Sequence, residues 1–233
     1  ILGILFYTCE RSITNRMATG TRTINRHFLP VSSMGNERTL TVIQYGPQDT
    51  GKKAYIQAGL HADEAPGFVV MHHLLDMLDR ADAANTIDGH VILVPVANPI
   101  GVGQWRDETL LGRFDFFNNI NFNRRHIDLT TQISDRIKDE LHDTPEENIT
   151  LIRQAAGEVL SSMIPGDEAE YLKHLLLSLS YDADIVLDVH CDEQALMHVY
   201  LGTPLWPDAA DLSAQLGAEV TLLAEDSGVT PFD

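Results

Sequence analysis

The chain has 233 residues, 44% of them hydrophobic and 7% aromatic, a size that allows one soluble domain with a full core. Its 16 basic and 34 acidic residues give a formal net charge of −18, which repels nucleic acid and anionic membranes and argues against both as partners. Two cysteines, Cys9 and Cys191, make no disulfide framework, so a reducing compartment, by default the cytoplasm, is expected.

The segment Ile1 to Tyr7 is apolar, but it is short and lacks a charged leader, unlike a signal peptide or a membrane span. Residues ahead of Met17 read as translated upstream sequence. From Arg38 the pattern becomes regular. Leu40–Tyr45 reads as a strand, Gly46 to Gly51 as a turn and Lys53–Ala58 as a second strand. Glycine then breaks the strand before His61. Pro66 and Gly67 lead into an apolar run of helical spacing, Val69 through Leu78. His90 to Val96 is a β-branched run of the type buried on both faces of a sheet.

The middle of the chain reads as helical. Thr144 as N-cap, Pro145 at the first helical position and Glu147 three after the cap predict a capping box. A second helix is predicted over about Asp167 to Leu179. Ala183–His190 reads as a buried strand with His190 at its carboxyl end. Strands alternating with long crossovers predict an α/β fold, a mostly parallel or mixed central sheet with helices on both faces. Sites in such sheets form beyond the carboxyl ends of the strands.

Two of these strand ends carry metal-ligand chemistry. His61 and Glu64 lie three apart, which on a helical turn puts both on one face. Catalytic zinc commonly takes three protein ligands from His and Glu or Asp and leaves a fourth position for water, so the pair needs one distant histidine, and His190 supplies it. Taken alone, His-x-x-Glu is a weak pattern, common on solvated helix faces. Its placement between Gly59 and Pro66-Gly67, with a second strand-end histidine, is what gives it weight. Asp188 points to the same side of its strand as His190 and either orients that imidazole or caps a neighbouring helix. A thiol nucleophile at Cys191 is disfavoured because its neighbour His190 points to the opposite face. Of His72 and His73, within the helix after the motif, one is expected to pack and the other to face water. His27, His142 and His174 read as surface residues.

Arg106, Arg113, Arg124 and Arg125 fall within twenty residues of an otherwise acidic chain. The plain reading is a salt-bridged loop. Their setting among Asn, Gly and aromatic residues suits instead a bidentate clamp for a carboxylate.

In order, His61-x-x-Glu64, Asn98-Pro99, Gly112-Arg113-Phe114, Asn121-Phe122-Asn123-Arg124 and Asp188-x-His190 resemble the succinylglutamate desuccinylase/aspartoacylase family of zinc hydrolases, which has a zinc carboxypeptidase-like fold. The resemblance runs from about Leu40 to Asp233. It implies one Zn2+ per chain held by His61, Glu64 and His190, although cobalt or manganese would also suit such ligands. It further implies that Asn123 and Arg124 bind the substrate carboxylate, and that Arg113 is catalytic, polarising the scissile carbonyl and stabilising the oxyanion. The implied reaction is amide hydrolysis of a small anionic N-acyl amino acid or an N-acyl amine. A zinc carboxypeptidase acting on peptides and a catalytically inactive zinc-binding domain are the alternatives. Two departures stand out. Asn121 occupies a place where many relatives carry an acid. The family's catalytic glutamate lies further downstream than this chain extends, and Glu193, Glu219 and Glu225 lack its context. The expected organisation is therefore an N-terminal extension, 1–37, and a catalytic domain, 38–233, cut short at its carboxyl end.

Overall fold

The computed structural model describes residues 12–16, 20–30, 33–49, 51–192, 194–225 and 232. The readings at Ile1 to Tyr7, Cys9, Met17 and Glu193 lie outside the described residues. The chain forms strands β1 (Ser12–Arg16), β2 (Thr23–Phe28), β3 (Thr39–Tyr45) and β4 (Lys53–Ala58), then helix α1 (Pro66–Ala83) and strand β5 (His90–Val94). A small hairpin, β6 (Trp105–Arg106) and β7 (Thr109–Leu110), precedes helices α2 (Thr130–Ile137), α3 (Pro145–Ser162) and α4 (Glu168–Ser180). Strands β8 (Ile185–Val189) and β9 (His198–Gly202), helix α5 (Ala210–Gln215) and strand β10 (Val220–Ala224) follow. No helix among the described residues is long and apolar enough to cross a membrane.

The central sheet has the order β1-β2-β3-β5-β4-β8. It is mixed rather than mostly parallel. β1, β2, β3 and β5 pair antiparallel in succession, whereas β5–β4 and β4–β8 are parallel. The parallel pairs are those whose connection passes through a helix, which returns the chain to the same end of the sheet. β9 and β10, joined through α5, form a separate parallel pair.

Alternation along the strands divides the core in two. On one face Leu40, Val42, Tyr55, Ile92 and Val94 pack with Leu172 and Leu176 of α4. On the other, Ile43, Tyr45, Ala58 and Leu93 pack with Met71, Leu74 and Leu78 of α1. Burial on both faces is why His90–Val94 shows no polar alternation. Each large side chain fully buried here contributes about 1.5–3 kcal/mol, so the two helices fix β4 firmly between its neighbours.

The stretch before Arg38 supplies two strands to this same sheet. Asp82, near the end of α1, anchors them by accepting from Thr21 N–H at 2.9 Å, from Arg22 N–H at 3.2 Å and from the Thr21 hydroxyl at 2.5 Å. Burial opposes its charge, but the Thr21 side-chain and backbone bonds and the Arg22 amide hold the Asp82 carboxyl below its ordinary range.

The predicted capping box does not form, although α3 begins where expected. The Thr144 side chain caps nothing. Asn148 instead bonds the His142 backbone through both its amide atoms, and Glu147 turns toward His142. Asp167 does cap α4, accepting from the Glu170 amide at 2.8 Å.

Candidate metal centre

β4 and β8 run side by side in register, with Gln57 opposite Asp188 and Ala58 opposite Val189. His61 lies just past the end of β4 and His190 immediately past the end of β8, so adjacent strand ends deliver the two imidazoles to one place. Their ring centroids are 5.0 Å apart. Gly59, at φ +71°, makes the turn out of β4; a side chain there would strike Phe68. Residues 61–64 form a tight turn, closed by Glu64 N–H to His61 C=O at 3.1 Å, rather than the first turn of a helix. The result still places both side chains on one side.

Glu64 is the hub. One carboxylate oxygen meets His61 Nδ1 at 2.9 Å and accepts from Arg113 Nη2 at 2.6 Å. The other meets His190 Nδ1 at 2.9 Å and accepts from the Cys191 backbone amide at 2.7 Å. Burial would raise the Glu64 carboxyl, but the bonds with His190, His61 and Cys191 outweigh it and hold it far below the ordinary range.

The opposite nitrogens of both imidazoles face acceptors. His61 Nε2 lies 2.7 Å from Asn121 Oδ1, and His190 Nε2 lies 2.9 Å from Asp188 Oδ2. Each Nε2 therefore carries the hydrogen, and each Nδ1 is directed at Glu64. For His190, burial lowers the imidazole's affinity for a proton, but Asp188 and Glu64 overcome burial and push it up to about 10. The position between two Nδ1 atoms and a carboxylate thus calls for a cation. His61, Glu64 and His190 offer ligand atoms that all lie within 4.8 Å of one another. Two imidazoles and a carboxylate, with hydrogen-bond partners behind the rings, form a donor set that suits a divalent metal.

Of the four arginines, only Arg113 reaches this cluster, bonding Glu64 and lying 3.5 Å from Asp63. Arg124 folds back on its own loop, donating to the Asn123 carbonyl at 2.6 Å. Arg106 stacks over Phe116 and Arg125 is exposed. Asn123 is buried, and its Nδ2 lies 3.5 Å from His190 Nε2. Asn98, fully buried, ties the loop before His61 by donating to Leu60 C=O and accepting from Gly101 N–H.

Some features escaped the sequence. His174 is half-buried and bonds Leu160 C=O, so it is not a surface residue, and His72 and His73 are both exposed. Buried Lys173 of α4 donates to Arg124 C=O at 2.6 Å and holds the loop behind the arginine. A lone lysine among Leu172, Leu175 and Leu176 was the available signal. Cys191 contributes its backbone amide to the cluster, while its thiol turns to Asp192 C=O.

The sequence model of the succinylglutamate desuccinylase/aspartoacylase catalytic domain matches residues 50–232. No curated protein matches the chain. Among solved structures, it is similar to a protein from Shewanella amazonensis SB2B described as a succinylglutamate desuccinylase/aspartoacylase family protein, with 28% identity, a TM-score of 0.67 and coverage of 79% of this chain and 51% of that one. A protein from Shewanella frigidimarina NCIMB 400 given the same description matches with 24% identity and a TM-score of 0.67 over 86% of this chain and 51% of that one. A Shewanella denitrificans OS217 protein described as a metallopeptidase shares the fold, with 18% identity and a TM-score of 0.51 over 90% of this chain and 68% of that one. The chain thus spans about half the length of the first two relatives.

Proposed function

As a member of the succinylglutamate desuccinylase/aspartoacylase catalytic-domain family, the chain is, we propose, the zinc-binding part of a hydrolase that cleaves the amide bond of a small N-acyl amino acid or N-acyl amine. The observation that carries this is the convergence of His61 Nδ1, His190 Nδ1 and Arg113 on the Glu64 carboxylate. His61, Glu64 and His190 would hold one zinc. When bound, the metal supplies Lewis acidity, which lowers the pKa of water and polarises a carbonyl. Asp188 and Asn121 each accept from an Nε2–H, which leaves Nδ1 of each ring as the nitrogen that would turn from Glu64 to the metal. Arg113 is 41% exposed in its side chain and would supply the positive charge that stabilises a developing oxyanion. Asn123 and Arg124 would receive the substrate carboxylate, an anion that the strongly acidic chain otherwise repels. The two-cysteine composition suits the cytoplasm. Glu219 and Glu225 are exposed.

The test is zinc content by mass spectrometry together with hydrolysis of a panel of N-acyl amino acids, beside His61→Ala and His190→Ala. One zinc per chain, lost in both variants along with activity, is expected. Zinc retained in both variants would sink the ligand assignment. The metallopeptidase fold neighbour motivates one alternative: cleavage of short peptides but not of N-acyl amino acids would select a carboxypeptidase. Zinc bound normally with neither substrate cleaved would leave a metal-binding domain.

A further inference from the structure

Resting on the zinc reading above, we propose that Asn121 is a positioning residue that presents His61 to the metal through a neutral acceptor, so that the site holds its metal with two unequal imidazoles. Asn121 Oδ1 accepts from the Asn123 backbone N–H at 2.8 Å. A backbone amide only donates, so the atom facing it is the oxygen, and the orientation of the carboxamide is fixed. The same oxygen lies 2.7 Å from His61 Nε2, and that nitrogen must carry the hydrogen. Nδ1, which meets the Glu64 carboxylate at 2.9 Å, is thereby left as the ring nitrogen that would ligate a metal. His61 is only 5% exposed, so water offers its ring no ready substitute.

Across the site Asp188 performs the same task for His190 with a full negative charge, from a side chain 1% exposed. A carboxylate behind an imidazole raises its basicity as a ligand more than a carboxamide does. His190 is therefore the stronger donor and His61 the weaker. Asn121 also links the two rings, because the backbone it holds belongs to Asn123, whose side chain lies 3.5 Å from His190 Nε2. A neutral residue here leaves the cluster one negative charge short of the arrangement with two carboxylates. The metal is held less tightly as a result.

The experiment titrates this chain with zinc and with cobalt(II) against a chromophoric chelator, in the wild type, Asn121→Asp and Asn121→Leu. Aspartate keeps both acceptor roles and adds charge, so its zinc Kd should fall, and leucine removes the acceptor, so its Kd should rise, each by about 10–100-fold. The cobalt d–d bands should keep their shape in Asn121→Asp and change in Asn121→Leu. A merely structural asparagine predicts weakening in both variants or in neither, so shifts in the same direction or no shifts overturn the inference. The sign for Asn121→Asp decides the matter even if the leucine variant fails to fold. A wild type that binds neither metal overturns the zinc reading and this inference with it. A wild type that binds zinc with all three affinities equal overturns this inference alone.

Discussion

Gly112→Ala tests how closely the arginine loop is pressed against the metal-ligand turn. A Cβ at Gly112 would meet Ala62 Cβ at 2.6 Å, Gly101 O at 2.9 Å and Gly101 C at 3.1 Å, where ordinary contact begins at 3.4 Å. The loop must retreat by about 0.8 Å from Ala62, while Ala62 N–H bonds Gly112 C=O at 3.0 Å and resists the move. Overpacking of this kind costs about 1–3 kcal/mol. The assay is urea unfolding of the metal-free chain followed by circular dichroism, with m unchanged. Ala62→Gly removes one of the three contacts and leaves the backbone of Gly101. The double variant should therefore recover part of the loss, with a favourable coupling of at least about 0.5 kcal/mol. Because Arg113 follows Gly112 directly, the single variant should also loosen the hold on Glu64 and alter zinc affinity. Wild-type stability in Gly112→Ala, or strict additivity in the double variant, would refute the packing argument.

Asp188→Asn replaces the carboxylate behind His190 with an amide, and chelator competition should show zinc affinity lowered by about 10–100-fold with the fold retained. Asn98→Ala leaves Leu60 C=O and Gly101 N–H without their partner, each at about 1–3 kcal/mol, readable as a lower urea midpoint. Asp82→Ala should cost about 1–3 kcal/mol at neutral pH, because the Thr21 and Arg22 amides lose a charged acceptor. The Asp82 carboxyl is depressed in the folded chain, so its contribution is present above the unfolded value of about 3.9 and is lost as pH falls through the lower folded value. The stability gap between wild type and Asp82→Ala should thus be constant near neutrality and close below about pH 4; a gap that persisted in acid would show that the carboxylate's charge plays no part.

What could be read from the chain follows the strength of each local signal. β3, β4 and β5 are visible because their apolar residues are buried on one or both faces; β8 is visible by its apolar run alone, since Ile185 and Val186 are exposed and the strand is not the buried one expected. The helix after Pro66 is visible from the apolar spacing of Val69 through Leu78, although the helix itself runs on to Ala83. β2 reads Thr-Ile-Asn-Arg-His-Phe and gives no strand signal, since a half-buried strand near the sheet edge carries no clean alternation. The antiparallel half of the sheet depends on pairing partners that no local pattern specifies. At the site, strand ends announced His61 and His190, and the structure brings both to Glu64. The chain showed the Asn121 departure but not its partners, because a hydrogen bond between residues sixty apart leaves no mark in spacing. At Thr144 the motif is local, yet its side chain makes no cap bond and Glu147 turns toward His142 instead.

Among the described residues β8 is the last strand of the six-stranded sheet, and Ile185 and Val186 on it are 43% and 42% exposed. An outer strand bearing apolar side chains is a template onto which a strand from another molecule can add. The charge of −18 per chain counters this by keeping copies apart, and that protection is only as long-ranged as the ionic atmosphere allows, about 10 Å at 0.1 M salt and about 3 Å at 1 M. Raising the salt concentration should therefore promote self-association of this chain, even while it leaves the buried contacts around Glu64 almost untouched.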